Sequence, residues 1–379
     1  DELEIGIVPM ANIDGYQLQE RASANGLDLN RDQTKLLAPE TVDLKKAFSN
    51  FNAEVALDFH EFQPYRSDYL QMGKAGYTVP YDVMILYSGN LNVPQPLRNL
   101  TKNTFVKNAE QLLSENKLTY HDYFTTADEH GSTVFNLGSF NPRSSATSYA
   151  LSNAVSTLIE VRGIDLGKTS FKRRIMTTFL IAVSYMDSAV KNKQELREVL
   201  ATNQNKVSDI IVKSRREASE IPLEFIDLKN NKLVHADVNT RNSLKLQPVL
   251  TRQIPEAYLL LPSEKAAVDK LKILGLNVTQ LSEPKRVEVQ NYVVTKYLKD
   301  DMKYEGVNQQ TVETEVKTVS RLFPAGTYVV ETQQKNRGLA FETLEPEAGS
   351  GFVSFGVVKA SLGTELPIYR YMNKKPLSN

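Results

Sequence analysis

Ile5-Gly6-Ile7-Val8-Pro9-Met10-Ala11-Asn12-Ile13-Asp14-Gly15, then Arg21, then Gly26-Leu27-Asp28-Leu29-Asn30-Arg31-Asp32, then Val55-Ala56-Leu57-Asp58-Phe59-His60 follow one another in the first 60 residues. Asn12-Ile13-Asp14-Gly15 has the composition of a tight turn, because Gly tolerates positive φ and Asn and Asp bond their own backbone. The apolar Ile5-Gly6-Ile7-Val8 before it reads as a buried strand running into that turn. Gly26 to Arg31 reads as a second turn that sets Asn30 and Arg31 side by side. Val55 to His60 is a short apolar strand with an acid and an imidazole at its end. In open α/β sheets, the carboxyl ends of strands are where sites form.

Working outward, Pro39 and Glu40 suit a helix start, and Val42, Leu44, Ala47, Phe48 and Phe51 make an apolar stripe over 39–52. Strand, helix, strand is the grammar of a mostly parallel sheet. Residues 79–95 read as loop and 97–116 as helix, while 121–143 read as an irregular, charged stretch. Ser156 to Gly163 is an apolar strand with Glu160 inside it. A buried carboxylate is costly without a partner, so Glu160 is expected to face a cleft or a cation. Phe171, Ile175, Phe179, Ala182, Val183, Met186 and Val190 predict a helix from Ser170 to about Ser214. After about residue 218 short alternating runs dominate, interrupted by one helix over 263–274. The fold class expected is α/β, a mostly parallel or mixed sheet flanked by helices, followed by a smaller β-rich α+β domain. The expected boundaries are 1–195 for the first domain, 196–220 for a helical linker and 221–379 for the second.

The ordered set P-x-x-N-x-D-G, R, G-x-D-L-N-R and D-x-H resembles the zinc carboxypeptidases, the carboxypeptidase A/B-like metallopeptidases, over roughly the first half of the chain. The resemblance implies a carboxypeptidase-like sheet and one zinc ion. It assigns His60 as a zinc ligand and gives Arg21, Asn30 and Arg31 the substrate's terminal carboxylate. Glu160, in an E-x-R-G segment like the family's, becomes the general base. Arg143, Ser145 and Tyr149 fall where the family builds its side-chain pocket. The implied partner is a peptide with a free C-terminal carboxylate.

The chemistry fits these residue types. Zinc hydrolysis needs three protein ligands and an open position for water. A carboxylate must take the water's proton and hand it to the leaving amine. Arg suits a terminal carboxylate because its planar fork binds both oxygens. Asp58, two residues before His60 on the same strand face, either orients an imidazole or is an ordinary strand-end acid. An Arg at 143 would favour an acidic side chain if it is not simply a solvated loop residue. The family's mobile Tyr has no counterpart near Gly138, where Phe135 and Phe140 stand; Tyr149 or Tyr123 is left to substitute.

The family's H-x-x-E pair of zinc ligands is missing from these residues. The four His are His60, His121, His130 and His235, and Gln63, Phe124, Thr133 and Val238 stand three places after them. The expectation is therefore a fragment whose two further ligands lie upstream, with a relative that lost catalysis as the alternative. The acidic Asp1-Glu2-Leu3-Glu4, leading straight into an apolar run, agrees with a fragment or processed product. His121 or His130 with Asp122, Asp128 or Glu129 is a weaker metal candidate. In the second half, Glu345-Pro346-Glu347 reads either as a cation site or as a solvated loop. The stretch Pro324 to Val330, with Gln333 and the segment 339–347, resembles a C-terminal extension of large bacterial members of the family.

Composition narrows the rest. Lys+Arg and Asp+Glu are 45 each, so no electrostatic footprint for nucleic acid or an anionic membrane exists. Cysteine is absent, which excludes disulfides, thiol nucleophiles and Cys metal sites. No apolar run of about 18 residues predicts a membrane span. The compartment stays open, secreted or periplasmic by resemblance alone. The leading function is a metallocarboxypeptidase. A non-catalytic reader of peptide C-termini and a zinc-dependent deacylase of amino-acid amides are the alternatives.

Overall fold

The structure, a computed structural model, describes residues 2–202, 209–375 and 377. Its first sheet has four strands in the order Val55–Phe62, Val155–Arg162, Val83–Tyr87, Tyr120–Asp122. The first two run parallel, with His60 opposite Glu160. Val83–Tyr87 runs antiparallel to Val155–Arg162 and parallel to Tyr120–Asp122, so this sheet is mixed. Helix Pro39–Phe51 forms as its stripe predicts. Ala38, just before it, has no capping side chain; Asp32 supplies the cap by accepting from the amides of Leu37 and Ala38 at 2.9 Å each.

Several expectations are corrected. Residues 2–10 form no strand, and Ile5, Ile7 and Val8 are exposed. A strand needs a ladder partner, and none pairs with them among the described residues. Asn12 begins not a tight turn but a six-residue helix, Ile13–Leu18, and its side chain accepts from the Gly15 amide. Only Gly fits at 15, since a Cβ would lie 2.3 Å from Asn12 Nδ2 and 2.6 Å from the Glu20 carbonyl oxygen. The stretch read as loop over 79–95 holds the strand Val83–Tyr87. All five of its residues are buried, so no alternation betrayed it. The irregular stretch holds a hairpin, Phe124–Glu129 with Ser132–Leu137, turning at His130-Gly131 where both φ are positive.

Helix Phe171–Lys191 exists, followed by Lys193–Thr202, but the predicted helix does not reach Ser214. Residues 203–208 lie outside the described residues. From Asp209 the chain is a strand, Asp209–Asp227, paired antiparallel with Lys232–Gln253. The β-branched Ile210-Ile211-Val212 opens it, and Ile210 and Val212 are buried. Part of the expected helical linker is thus sheet. That sheet has five strands and joins Lys232–Gln253 to Ser132–Leu137, so its strands come from both halves of the chain. Helix Phe171–Lys191 packs against the strands Val55–Phe62 and Val155–Arg162 and shares a cavity with Phe59 and His60. Phe171, Ile175 and Phe179 stay exposed there beside Phe59.

The second half has a six-stranded sheet built around Ala257–Leu260, Ile368–Tyr371 and the long hairpin Lys285–Tyr304 with Val307–Phe323. One buried apolar cluster runs from Val83 and Ile85 through Ile181 to Tyr258, Phe341 and Ile368, joining the halves. Helix Arg337–Leu344, unforeseen in the sequence, sends Glu342 to accept from Asn90 Nδ2 and Asn92 Nδ2 at 2.7 Å each. Glu345 and Glu347 are not in a solvated loop. Both are buried and paired with Arg252 at 2.8 and 2.7 Å, and Glu345 also accepts from the Tyr258 and Tyr292 hydroxyls. The cation they hold is a guanidinium. Among the described residues no helix is long and apolar enough to cross a membrane.

Removing one partner of a buried ion cluster leaves charge without compensation. Arg252→Met is therefore expected to lower unfolding stability by about 3–5 kcal/mol, read by urea denaturation. A loss under about 1 kcal/mol would show the cluster to be structurally idle.

Candidate active site

The site grows from two strand ends and one turn. His60 and Glu160 are register partners on adjacent parallel strands, so their side chains leave the same sheet face. Asp58 lies two residues before His60, and its Oδ2 is 3.0 Å from His60 Nε2. Ser145, the first residue of helix Ser145–Leu151, donates its hydroxyl to the same Asp58 oxygen at 2.6 Å. The Ser145 amide donates to Asn30 Oδ1 at 2.8 Å. Asn30 sits in the turn Leu29–Arg31, whose shape Asp28 sets by accepting from the Asn30 amide at 2.8 Å. The other Asp28 oxygen accepts from Arg21 Nε at 2.7 Å. One unbroken series of hydrogen bonds thus links Arg21, Asp28, Asn30, Ser145, Asp58 and His60.

Electrostatics tie the same residues together. Burial pushes the Glu160 carboxyl up to about 7, and the cations His60, Arg21 and Arg31 restrain the rise. Burial would lower the His60 imidazole, but the neighbouring Asp58 and Glu160 carboxylates hold it above its ordinary value. Asp58 is held below the usual range by His60 and Ser145 against its own burial. The Tyr123 phenol is buried and raised, by desolvation first and then by Glu160, while Arg31 and Arg21 act against the rise.

Of the residues singled out in the sequence, Arg21, Asn30, Arg31, His60 and Glu160 come together. Ser145 joins them as the bridge between Asn30 and Asp58. Tyr149 stacks on Phe48 with ring centres 4.1 Å apart and lies under Lys45 Nζ. Arg143 lies on the loop before Ser145, its carbonyl accepting from the Gln33 amide at 3.2 Å. Two further participants are Tyr123, which the sequence offers only as a substitute for a missing phenol, and Asp28, whose signal is an Asx turn two residues before Asn30.

The metal question turns on donors. His60 is one imidazole and Asp58 already engages it. Among the described residues no group of three His, Asp or Glu gathers around one point. The residues present therefore do not make up the three-ligand site that zinc hydrolysis needs. His121, with Nδ1 on the Asp122 carbonyl oxygen, and His130 in a hairpin turn belong to no such group either.

Comparison with known proteins adds to this geometry. Over 376 residues, 98% of the chain, it is 30% identical to carboxypeptidase 2 of Trichophyton rubrum and covers 69% of that protein. Carboxypeptidase 2 of Trichophyton tonsurans matches to the same extent. A probable carboxypeptidase 2 of Trichophyton verrucosum (strain HKI 0517) is 29% identical over 351 residues. No family model and no solved structure matches.

The raised Glu160 carboxyl has a stability signature. Folded Glu160 keeps its proton to about pH 7, whereas an unfolded Glu releases it near the ordinary 4.5. Within that window the native state binds the extra proton, so stability falls as pH rises. Against Glu160→Gln in chelator-containing buffer, the wild type is expected to lose on the order of 2 kcal/mol between pH 5 and 7.5. Parallel pH profiles for the two proteins would contradict this burial.

Proposed function

The chain belongs to the carboxypeptidase family of these fungal proteins, which are peptidase hydrolases, and from that premise we propose that it grips peptides by the free C-terminal carboxylate and hydrolyses the last peptide bond. The observation that carries this reading is the His60–Glu160 register pair at one end of the hydrogen-bonded series that begins at Arg21.

In this reading Arg21 and Arg31 bind the terminal carboxylate, and Asn30 holds the turn that aims Arg31. Arg21 is available for this role because its side chain is 61% exposed although it pairs with Asp28. Glu160, with its carboxyl near neutrality, takes a proton from water and returns it to the leaving amine, the task for which such a value is suited. The Tyr123 hydroxyl, held protonated by burial, donates toward the carbonyl oxygen as charge develops there. Zinc is the ion the family resemblance implies; bound beside His60 it would polarise the carbonyl and lower the pKa of water. This chain offers His60 as one ligand, and the roles given to Arg21, Arg31 and Glu160 do not depend on the ion. The unfilled donor set favours a second reading, a protein that reads peptide C-termini without cutting them.

Kinetics on the full-length protein separate the two readings. Arg31→Ala is expected to raise KM for an acid-terminated peptide about ten- to hundredfold and to leave an amidated peptide unaffected. Glu160→Gln is expected to lower kcat about 10²–10⁴-fold with KM little changed. Turnover that chelation abolishes and zinc restores supports the enzyme reading. Binding of acid-terminated peptides with no turnover in zinc-loaded protein would establish the non-catalytic reading instead.

A further inference from the structure

The hairpin of the second half ends beside the carboxylate-binding turn of the first. Its two strands close at Tyr304 and Val307 around Glu305-Gly306, where both φ are positive, 48° and 82°. That is the two-residue turn that matches strand twist, and it gives the tip a fixed shape. Glu305 Oε2 accepts from the Asp28 amide at 3.3 Å, and the Glu305 carbonyl oxygen accepts from Lys35 Nζ at 2.8 Å. The Tyr304 ring centre lies 4.7 Å from the guanidinium carbon of Arg143.

Arg143 is the unusual member of this contact. Its Nε is buried without a hydrogen-bond partner, and no carboxylate pairs with it among the described residues. Burial makes Arg143 less basic than usual and the nearby Arg31 cation acts in the same direction, while Tyr304 and the Glu305 and Asp28 carboxylates oppose the fall. It lines a cavity of about 500 Å³ between the loop 140–143, the hairpin and the segment 346–350. Of the three acids on that cavity wall, Glu342 is engaged by Asn90 and Asn92 and Glu347 by Arg252, while Asp300, on the hairpin, is exposed. A guanidinium lying against an aromatic ring uses its face and keeps its in-plane N–H donors for a second, planar partner.

We propose that Arg143 binds the acidic side chain of a substrate's C-terminal Asp or Glu, and that Tyr304, from the second half of the chain, is the positioning residue that holds Arg143 ready for it. This rests on the carboxylate-binding reading above and adds the substrate class to it. Arg31 and Arg143 then divide the two carboxylates of such a substrate, which relieves the repulsion between the two cations. Glu305, by holding the Asp28 amide, keeps the tip in register with the turn that carries Arg31.

Calorimetric binding of product-like ligands tests this without turnover. The probes are the released amino acids themselves, L-glutamate and L-leucine, with L-leucinamide, added to full-length wild type, Tyr304→Phe and Tyr304→Ala. Wild type is expected to bind both acids, to prefer the glutamate and to ignore the amide. Tyr304→Ala should weaken the glutamate ligand about five- to tenfold with the leucine ligand unchanged, and Tyr304→Phe, which keeps the ring face, should behave as wild type. Equal affinity for the glutamate and leucine ligands in wild type overturns the acidic assignment while the carboxylate reading stands. Uniform weakening of both acids in Tyr304→Ala, or no weakening, overturns the positioning role. Wild type that binds the amide as well as the acids removes the carboxylate reading and this proposal with it.

Discussion

The Asp58 carboxylate is the constraint on which the site's geometry rests. It takes the His60 imidazole on one side and the Ser145 hydroxyl on the other, so the strand that carries His60 and the helix that follows Arg143 cannot move independently. Ser145 in turn holds Asn30 through its amide. A turn, a helix start and a strand end, each of them locally adjustable, are thereby fixed to one another. Buried polar groups satisfied in this way specify a single arrangement, because any alternative leaves one of them unpaired. Glu160 needs no bond of its own to be positioned, since its strand pairs with that of His60 residue for residue.

The second half of the chain is joined to this arrangement by three separate means. A shared apolar cluster supplies the bulk of the cohesion. The Glu342 bridge to Asn90 and Asn92 and the five-stranded sheet fix the orientation. The hairpin tip brings Tyr304 and Glu305 to the loops of the first half. The buried Arg252 cluster makes the platform from which that hairpin extends stiff, because each of its carboxylates is satisfied by more than one donor.

What could be read in the sequence followed from local chemistry. Helix Pro39–Phe51, the strands ending at His60 and containing Glu160, and most second-half strands carry their periodicity openly. So does the grouping of Arg21, Asn30, Arg31, His60 and Glu160, through an ordered motif. Strand Val83–Tyr87 was missed because burial on both faces erases alternation. The apolar residues 5–8 misled in the opposite direction, since strand composition without a pairing partner makes no strand. Glu345 and Glu347 looked like a surface loop because their partner, Arg252, lies more than 90 residues earlier in the chain. The Tyr304 contact with Arg143 is of the same long-range kind, and no local pattern announces it.

The central claim is that Arg21, Arg31, His60 and Glu160 serve one bound peptide end. A crystal structure of the full-length protein with a C-terminal amino acid product bound tests it most directly. The account predicts the ligand's carboxylate between the Arg21 and Arg31 guanidinium groups and its amine on the side of Glu160. A ligand whose carboxylate lies away from both guanidinium groups, or whose amine lies away from Glu160, would contradict it.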